Sequence, residues 1–450
     1  MKIDIKEDKQ FPMYTIDKCN INITLIYYIL ILFLFLLSTL DILLILINHA
    51  ESTSFIDVIK LFWLTSFVLG LFSFIGVLLI VNGDNFSLQR RPQQDNYKVI
   101  FQITSRGFNV EAIIRSVGSV RYRAPKYLRD YEIWLVTEPD AKIDNVNDVR
   151  IIKVPSTFST RNNTKFKARA MEYARLLRRD YVGKDVWIYY LDEESVIGED
   201  TILGIIDFIE NKRGDIGQGL IVYTNFFGKN LFTYLADSIR SSADVSMLFF
   251  QIVTGFVPWM HGSHVLIRAD VEASIGWDFG VTWSEDSLFG LEAQRMGYRI
   301  MWLKGRLYEQ SPFTVNDFLK QRRRWVFHSI DVMRRRLPIK VKVYYAYSLV
   351  VWASGLFSML AAILSVFSNA VFPFNNAFIL LTIIIATSWL SSYFIGLYLN
   401  TQPLGLPFSR LIFFFIIAVI IGSLLEGLAV WYAILSANKM NKIGFEVIKK

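Results

Sequence analysis

The run Tyr190-Leu191-Asp192-Glu193-Glu194 ends an apolar stretch in three acids. On a strand, positions i and i+2 face the same side, so Asp192 and Glu194 converge beyond a sheet edge. Two hard carboxylates there suit Mg²⁺ or Mn²⁺, which keeps waters and binds substrate phosphates; the plain alternative is a solvated acidic turn. Ser284-Glu285-Asp286 opens a helical run. Either Ser284 caps that helix, with two acids favoured by its dipole, or Asp286 acts as a general base toward a hydroxyl; taken alone, capping is the simpler account. Lys165, Lys167 and Arg169 begin another helix ahead of the acidic run, as a phosphate contact or as an ordinary solvated helix start. His261 and His264 flank Gly262-Ser263 without a third ligand nearby, and read as hydrogen-bonded histidines rather than metal ligands.

Residues 313–336 place apolar side chains at 315, 318, 319, 326, 330 and 333. That is helical spacing, with Thr314 as cap and Asp317 three residues on. The polar positions carry Lys320, Arg322, Arg323, Arg324, Arg334, Arg335 and Arg336, which predicts an amphipathic helix lying on an anionic membrane surface. Within it, the segment from Gln321 to Trp325 offers guanidinium forks for phosphate and an indole for a sugar ring or the headgroup level.

These side chains need elements to hold them. Strand patterns fall at 97–104, 131–137, 150–154, 186–191, 218–223, 264–268 and 298–303, and helical patterns near 109–121, 164–180, 199–211 and 284–297. Strands alternating with helices predict βαβ units in an α/β domain with a mostly parallel sheet. In such sheets ligands sit beyond the carboxyl ends of the strands.

The rest of the chain is of another kind. Apolar residues make up 53% and charged residues 20% of 450, and the mean hydropathy of +0.35 is too apolar for a purely soluble or a disordered protein. The single cysteine, Cys19, excludes an intrachain disulfide framework and a cysteine-built metal site. Charge-poor segments at about 21–46, 60–82, 344–370, 377–399 and 410–435 are long enough to span a bilayer. The first follows a polar tail and is too long for a signal peptide, so it reads as an anchor. The expected organisation is a cytoplasmic tail (1–20), a two-span hairpin (21–82), a catalytic domain (83–312), an interface-helix region (313–343), about three spans (344–436) and a basic tail (437–450). Arg90, Arg91 and the basic residues before Tyr344 place the polar block on the cytoplasmic side of a multi-pass membrane protein. Five full crossings would put the tail outside, whereas Lys439, Lys442, Lys449 and Lys450 favour the inside, a conflict resolved if one segment is re-entrant or interfacial. Asp41 and Glu426 lie within spans, as helix-packing partners or on a functional route.

Taken in order, Lys167, Asp192-Glu193-Glu194, Gly262-Ser263 with Arg268, Glu285-Asp286 and Gln321-x-x-Arg324-Trp325 resemble the membrane-embedded family 2 glycosyltransferases of the GT-A fold, the group that includes cellulose, hyaluronan and chitin synthases. TKFKARAMEYA, YLDEES, GQGLIVYTN, LADSIR and YEQSPFTVNDFLKQRRRW are similar to the Egghead-type β-1,4-mannosyltransferases within it. The likeness covers roughly residues 95–345 and reaches the spans only in arrangement.

The resemblance implies a GT-A, Rossmann-like catalytic domain joined to transmembrane helices. It implies Asp192 and Glu194 on a divalent cation, Mg²⁺ or Mn²⁺, and Asp286 with Glu285 at the base position. Thr104, Arg106 and Glu138 would meet the nucleotide base and ribose, and Lys167, Asp192 and Arg268 the rest of the donor. Gly262, Ser263 and Trp325 would meet the acceptor, and Gln321 and Arg324 the leaving diphosphate. The implied partners are a nucleotide-sugar donor (GDP-mannose, or a UDP-sugar), a lipid-linked or glycan acceptor and membrane lipids. Two departures stand out: Glu194 replaces the common Asp, and Ser284 replaces a Thr often found before E-D; each keeps its functional group.

The expected activity is inverting transfer of one sugar, mannose first, to a lipid-linked acceptor. A processive polysaccharide synthase is the alternative, although such enzymes usually have at least four spans after the catalytic domain and this chain shows three. A non-enzymatic membrane scaffold would not require the acidic and Arg/Trp positions together. The absence of a G-x-x-x-x-G-K-[ST] loop argues against an NTP hydrolase, and the basic helix flanks a membrane span, which argues against nucleic acid.

Overall fold

Continuous apolar runs become strands covered on both faces, and β1 (Lys98–Ser105) is buried at every position but its two ends. The computed structural model describes residues 59–66, 70, 75, 96–225, 229–367, 376–440 and 448. They fall in two compact units: the first takes those within Asp84–Asn225 and Phe256–Gln310, the second those within Lys18–Gly83, Phe226–Gly255 and Ser311–Lys450.

In the first unit β1 is followed by α1 (Val110–Arg123), β2 (Tyr131–Thr137), β3 (Arg150–Lys153), α2 (Phe166–Leu177), β4 (Val186–Asp192), β5 (Val196–Ile197), α3 (Glu199–Glu210) and β6 (Ile216–Asn225). Two helices of the second unit come next in sequence, α4 (Leu231–Ala236) and α5 (Ser238–Thr254). The first unit resumes with β7 (Val265–Arg268), α6 (Ala269–Ile275), α7 (Glu285–Arg295) and β8 (Ile300–Gln310). One sheet runs β3-β2-β1-β4-β7-β6-β8-β5. Strands β3, β2, β1 and β4 are parallel, as are β6 and β8, while β7 is antiparallel to both its neighbours and β5 to β8. This is the expected α/β architecture, a mixed and mostly parallel sheet.

Every strand expected from the sequence is present. The two-residue β5 is too short for any periodicity, and α5 has a serine-rich start that weakens its helical signal. Beneath the sheet, Arg178 and Glu272 form a buried ion pair at 2.6 Å, and the same carboxylate accepts from Trp277 Nε1 at 2.8 Å and from the Tyr190 hydroxyl. Burial, and then the Glu272 charge, push the Tyr190 phenol well above its ordinary value. The pair ties the end of α2 to α6.

The second unit contains α8 (Val315–Arg334), α9 (Ile339–Phe367), α10 (Asn376–Thr401), α11 (Phe408–Ile417) and α12 (Ser423–Leu435), the last two joined by a π turn at Ala418–Gly422. Three stretches, Ile339–Leu364, Thr382–Leu404 and Phe408–Leu435, are long and apolar enough to cross a membrane. They correspond to the third, fourth and fifth expected spans, and the break between the last two falls where the prolines and Gly405 predict it. The expected span at 21–46 and most of that at 60–82, with Asp41, Arg90 and Arg91, lie outside the described residues. A Cβ on Gly396 would sit 1.6 Å from the Ser238 carbonyl oxygen, so α5 and α10 meet backbone to backbone, as small residues permit.

Helix α8 begins as predicted, with Thr314 Oγ1 accepting from Asp317 N at 3.0 Å. Its expected basic face is corrected at two positions: Arg322 is fully buried and Arg323 nearly so. Carboxylates from α12 and from the turn between α4 and α5 draw Arg322 inward.

Candidate active site

The carboxyl ends of β1, β2 and β4 form one edge. Thr104 is in register with Asp192, and Ser105 with Thr137. Gly107 follows with φ +80, and a Cβ there would meet Ala141 Cβ at 2.3 Å, so only glycine allows the turn out of β1. The expectation that strand alternation aligns Asp192 with Glu194 is corrected: β4 ends at Asp192, and the chain turns at once, closed by Ser195 N donating to Asp192 O at 3.1 Å. Glu194 sits half-buried in that turn, and Glu193 accepts from the Ser105 hydroxyl.

The segments carrying Asp192, Gly262 and Asp286 converge around Lys167. Lys167 Nζ, from the first turn of α2, donates to Asp192 Oδ1 at 2.6 Å and to the Gly262 carbonyl at 2.9 Å. A Cβ on Gly262 would lie 2.6 Å from Asp286 Oδ2 and 2.7 Å from Lys167 Nζ. Glycine at 262 therefore lets ammonium, carboxylate and backbone approach one another. Burial alone would lower the Lys167 pKa, but Asp192, Asp286 and Glu285 outweigh it and hold the amine above its ordinary value. The ammonium stays charged. Glu285 and Asp286 lie in the first turn of α7; Ser284 takes the N-cap position, yet its hydroxyl meets Thr282 Oγ1 at 3.0 Å rather than a backbone N–H.

Residues to which the sequence assigned no role hold these arms. Asp278 accepts from Thr160 Oγ1 and Thr164 Oγ1 at 2.7 Å each and from Asn162 N at 3.0 Å, clamping the loop before Lys167 to the loop before Asp286. Burial pushes the Asp278 pKa up, and these hydrogen bonds more than reverse it, leaving it lowered. Asn163 and Phe166 have φ of +56 and +58, strained values for side-chain-bearing residues, directly before Lys167. Buried Glu309 of β8 accepts from Ser263 Oγ at 2.7 Å and Ser195 Oγ at 3.2 Å, joining the Gly262-Ser263 segment to the turn after Asp192. His264 lies between Tyr189 OH at 2.7 Å and the Gly305 carbonyl at 3.3 Å, and burial lowers its pKa to about 3. The hydrogen-bonded reading of this histidine holds.

Other predicted donor contacts distribute around the edge. Thr104 is buried and accepts from Gln102 Nε2 at 3.2 Å. Arg106 is half exposed near Asp140 at 3.8 Å. Glu138 pairs with Arg169 at 2.7 Å. Arg268 is not brought to the cluster: it is in register with Trp187, at the opposite end of β4, and pairs with Asp215 at 3.0 Å and Asp270 at 2.6 Å. The cause is the direction of β7. An antiparallel strand delivers Gly262-Ser263, ahead of its start, to the edge where β4 ends, and carries its own end away.

Gln321, Arg324 and Trp325 belong to α8 in the second unit. Arg322 Nε lies 2.9 Å from each Glu426 oxygen, Nη2 donates to Asp237 Oδ1 at 2.6 Å, and Nη1 to Gln321 Oε1 at 2.6 Å. Its guanidinium also lies over Phe318 at 3.9 Å and Trp325 at 4.2 Å, and that of Arg240 over Trp325 at 3.8 Å. Glu426 is thus a helix-packing partner. A carboxylate in an apolar span was the readable signal; for Asp237 it was only its place in the LADSIR segment.

Among the described residues, no three His, Cys, Asp or Glu gather closely enough to hold a metal ion by themselves. Mg²⁺ takes one or two protein carboxylates and completes its shell with water and substrate phosphates. Asp192, a third exposed and with one oxygen on Lys167, fits such a partial donor set.

Residues 187–434 match the family model described as glycosyl transferase family group 2. The chain is 34% identical over 233 residues to the β-1,4-mannosyltransferase egh of Drosophila melanogaster, covering 50% of this chain and 51% of that protein. It is 35% identical over 231 residues to the β-1,4-mannosyltransferase bre-3 of Caenorhabditis elegans, covering 50% of each. The chain spans about half the length of the curated relatives it matches. Among solved structures, the mannosyltransferase PcManGT from Pyrobaculum calidifontis in complex with GDP-Man and Mn²⁺ aligns with a TM-score of 0.45 at 12% identity, over 75% of this chain and 98% of that one.

Proposed function

Because the chain belongs to glycosyl transferase family group 2, we propose that it is an inverting enzyme moving one mannose from GDP-mannose to a lipid-linked acceptor at the cytoplasmic membrane face. The observation that carries this reading is the meeting of Lys167, Asp192, Gly262 and Asp286 at one strand edge. Asp286 takes the proton of the acceptor hydroxyl while that oxygen attacks the anomeric carbon. The bond from this carbon to the nucleotide diphosphate breaks, and its electron pair leaves with the diphosphate. A single displacement inverts configuration, so an α-linked donor yields a β product, the linkage in the names of the fly and worm relatives.

Lys167 keeps its proton and fixes Asp192 and the Gly262 carbonyl relative to the base. Asp192, with Glu194 near by in sequence, would hold a divalent cation, which would supply Lewis-acid neutralisation of the diphosphate. Thr104, Arg106 and Glu138 face the nucleoside. By motif order, Gln321 and Arg324 steady the leaving diphosphate and Trp325 meets the acceptor sugar. Three helices of membrane-spanning length favour a lipid acceptor.

The test is a donor screen on the full chain in detergent with Mg²⁺ or Mn²⁺, GDP-mannose against UDP-sugars, and product mass as readout. One added hexose from GDP-mannose is expected. A ladder of lengthening products would favour a processive synthase, and no transfer from any nucleotide sugar would refute the enzyme.

A further inference from the structure

Glu426 is the one acidic residue in the apolar stretch Phe408–Leu435, and the reaction above leaves it without a task. Ionisable side chains in such segments are costly and are kept for a purpose. We propose that Glu426, supported by Asp237, is a positioning residue that sets Gln321 and Trp325 through Arg322. The proposal rests on the roles given above to those two residues.

The geometry runs in three steps. Glu426 receives Arg322 Nε on both oxygens at 2.9 Å, and Asp237 receives Nη2 at 2.6 Å. The planar guanidinium, anchored along that side, turns Nη1 to Gln321 Oε1 at 2.6 Å. Adjacent helical residues do not ordinarily face each other, so this contact depends on the outside anchor. With its carbonyl oxygen occupied, Gln321 presents its amide N–H groups, which are donors suited to a departing diphosphate. The guanidinium over Trp325 at 4.2 Å also fixes the indole, one turn along α8 on the same face.

Charge arithmetic selects the variant. One guanidinium faces two carboxylates, so Glu426→Gln leaves a balanced Arg322–Asp237 pair and a folded protein. In the full-length chain, kcat is expected to fall about 10- to 100-fold, the scale of a misplaced reacting group, with donor KM changed less than about threefold. Combined with Gln321→Ala, the two losses should not multiply, because both act through one contact. A readout independent of turnover is the ¹⁹F resonance of fluorotryptophan at Trp325, assigned with Trp325→Phe and expected to shift in Glu426→Gln. If that variant does not fold, Asp237→Asn, which also leaves a balanced pair, takes its place with a smaller loss. Multiplying losses or an unmoved Trp325 resonance overturns the proposal. Should Asp286→Asn retain transfer, the functional reading fails instead, and the resonance alone decides this one.

Discussion

Lys167 at the sheet edge and Arg322 in the helical unit each face two or more carboxylates, and their surroundings separate their uses. Lys167 is 16% and Asp192 33% exposed; Arg322 and Asp237 are fully buried, and Glu426 nearly so. An ammonium is a compact charge on a flexible stem that can exchange partners, whereas a guanidinium is a rigid fork that locks them. The first cluster is open to solvent, and its proposed task is to receive a substrate phosphate. The second is closed off within the fold, and its proposed task is to hold geometry. Similar charge patterns therefore divide into one proposed to react and one proposed to position, by solvent access and by the choice of cation.

The strongest test of the reacting half is Asp286→Asn. Transfer should fall by about 10²- to 10⁴-fold, the scale of a lost general base, while donor binding measured by calorimetry stays close to wild type. Near-normal turnover would remove Asp286 from the base role. The positioning half is tested by Arg322→Gln, which strands two carboxylates in the interior and should cost about 3–5 kcal/mol of stability, read as a lowered thermal midpoint in detergent. Lys167→Gln sharpens the contrast: its carboxylate partner reaches solvent, so transfer should be lost with a much smaller change in midpoint. Equal destabilisation by both would erase the distinction.

A buried carboxylate without a cation in hydrogen-bond contact supplies the third test. Asp200 accepts from Tyr308 OH at 2.9 Å, and burial, only partly offset by Arg306 and this hydroxyl, raises its pKa from 3.8 to about 6. The folded state holds this proton more tightly than the unfolded one, so the contribution of Asp200 to stability falls as pH rises from about 4 to about 6 and levels off above. Asp200→Asn should gain on wild type across that window, by on the order of 3 kcal/mol at most. Unfolding midpoints of both proteins from pH 4 to 7 check the sign. A difference that does not change with pH would show that Asp200 ionises as readily folded as unfolded.

Much of the fold was readable because its signals are local. Apolar runs at β1 and β4, the Thr314 cap of α8 and the three C-terminal spans each follow from side chains within a few residues. The site was readable in part. Lys167, Asp192, Gly262 and Asp286 come together as their motif order implies. The reason first given for Asp192 and Glu194 does not hold, because strand alternation stops where the chain turns. Asp278 sits in no recognisable pattern, and the segments that resemble relatives around Asp237 and Glu309 assign those acids no partner, since a hydrogen-bond acceptor acquires its meaning only from distant donors.

The sequence by itself determined which segments become strands and helices, which stretches can enter a bilayer and the order of the chemical groups, since each depends on side-chain type and short-range spacing. Only the tertiary structure decided that β7 runs against β4, bringing Gly262 to the edge and taking Arg268 from it. It alone turned Arg322 from an expected surface charge into a buried link between helices. Both outcomes depend on pairings between residues far apart in the chain, which sequence spacing does not encode.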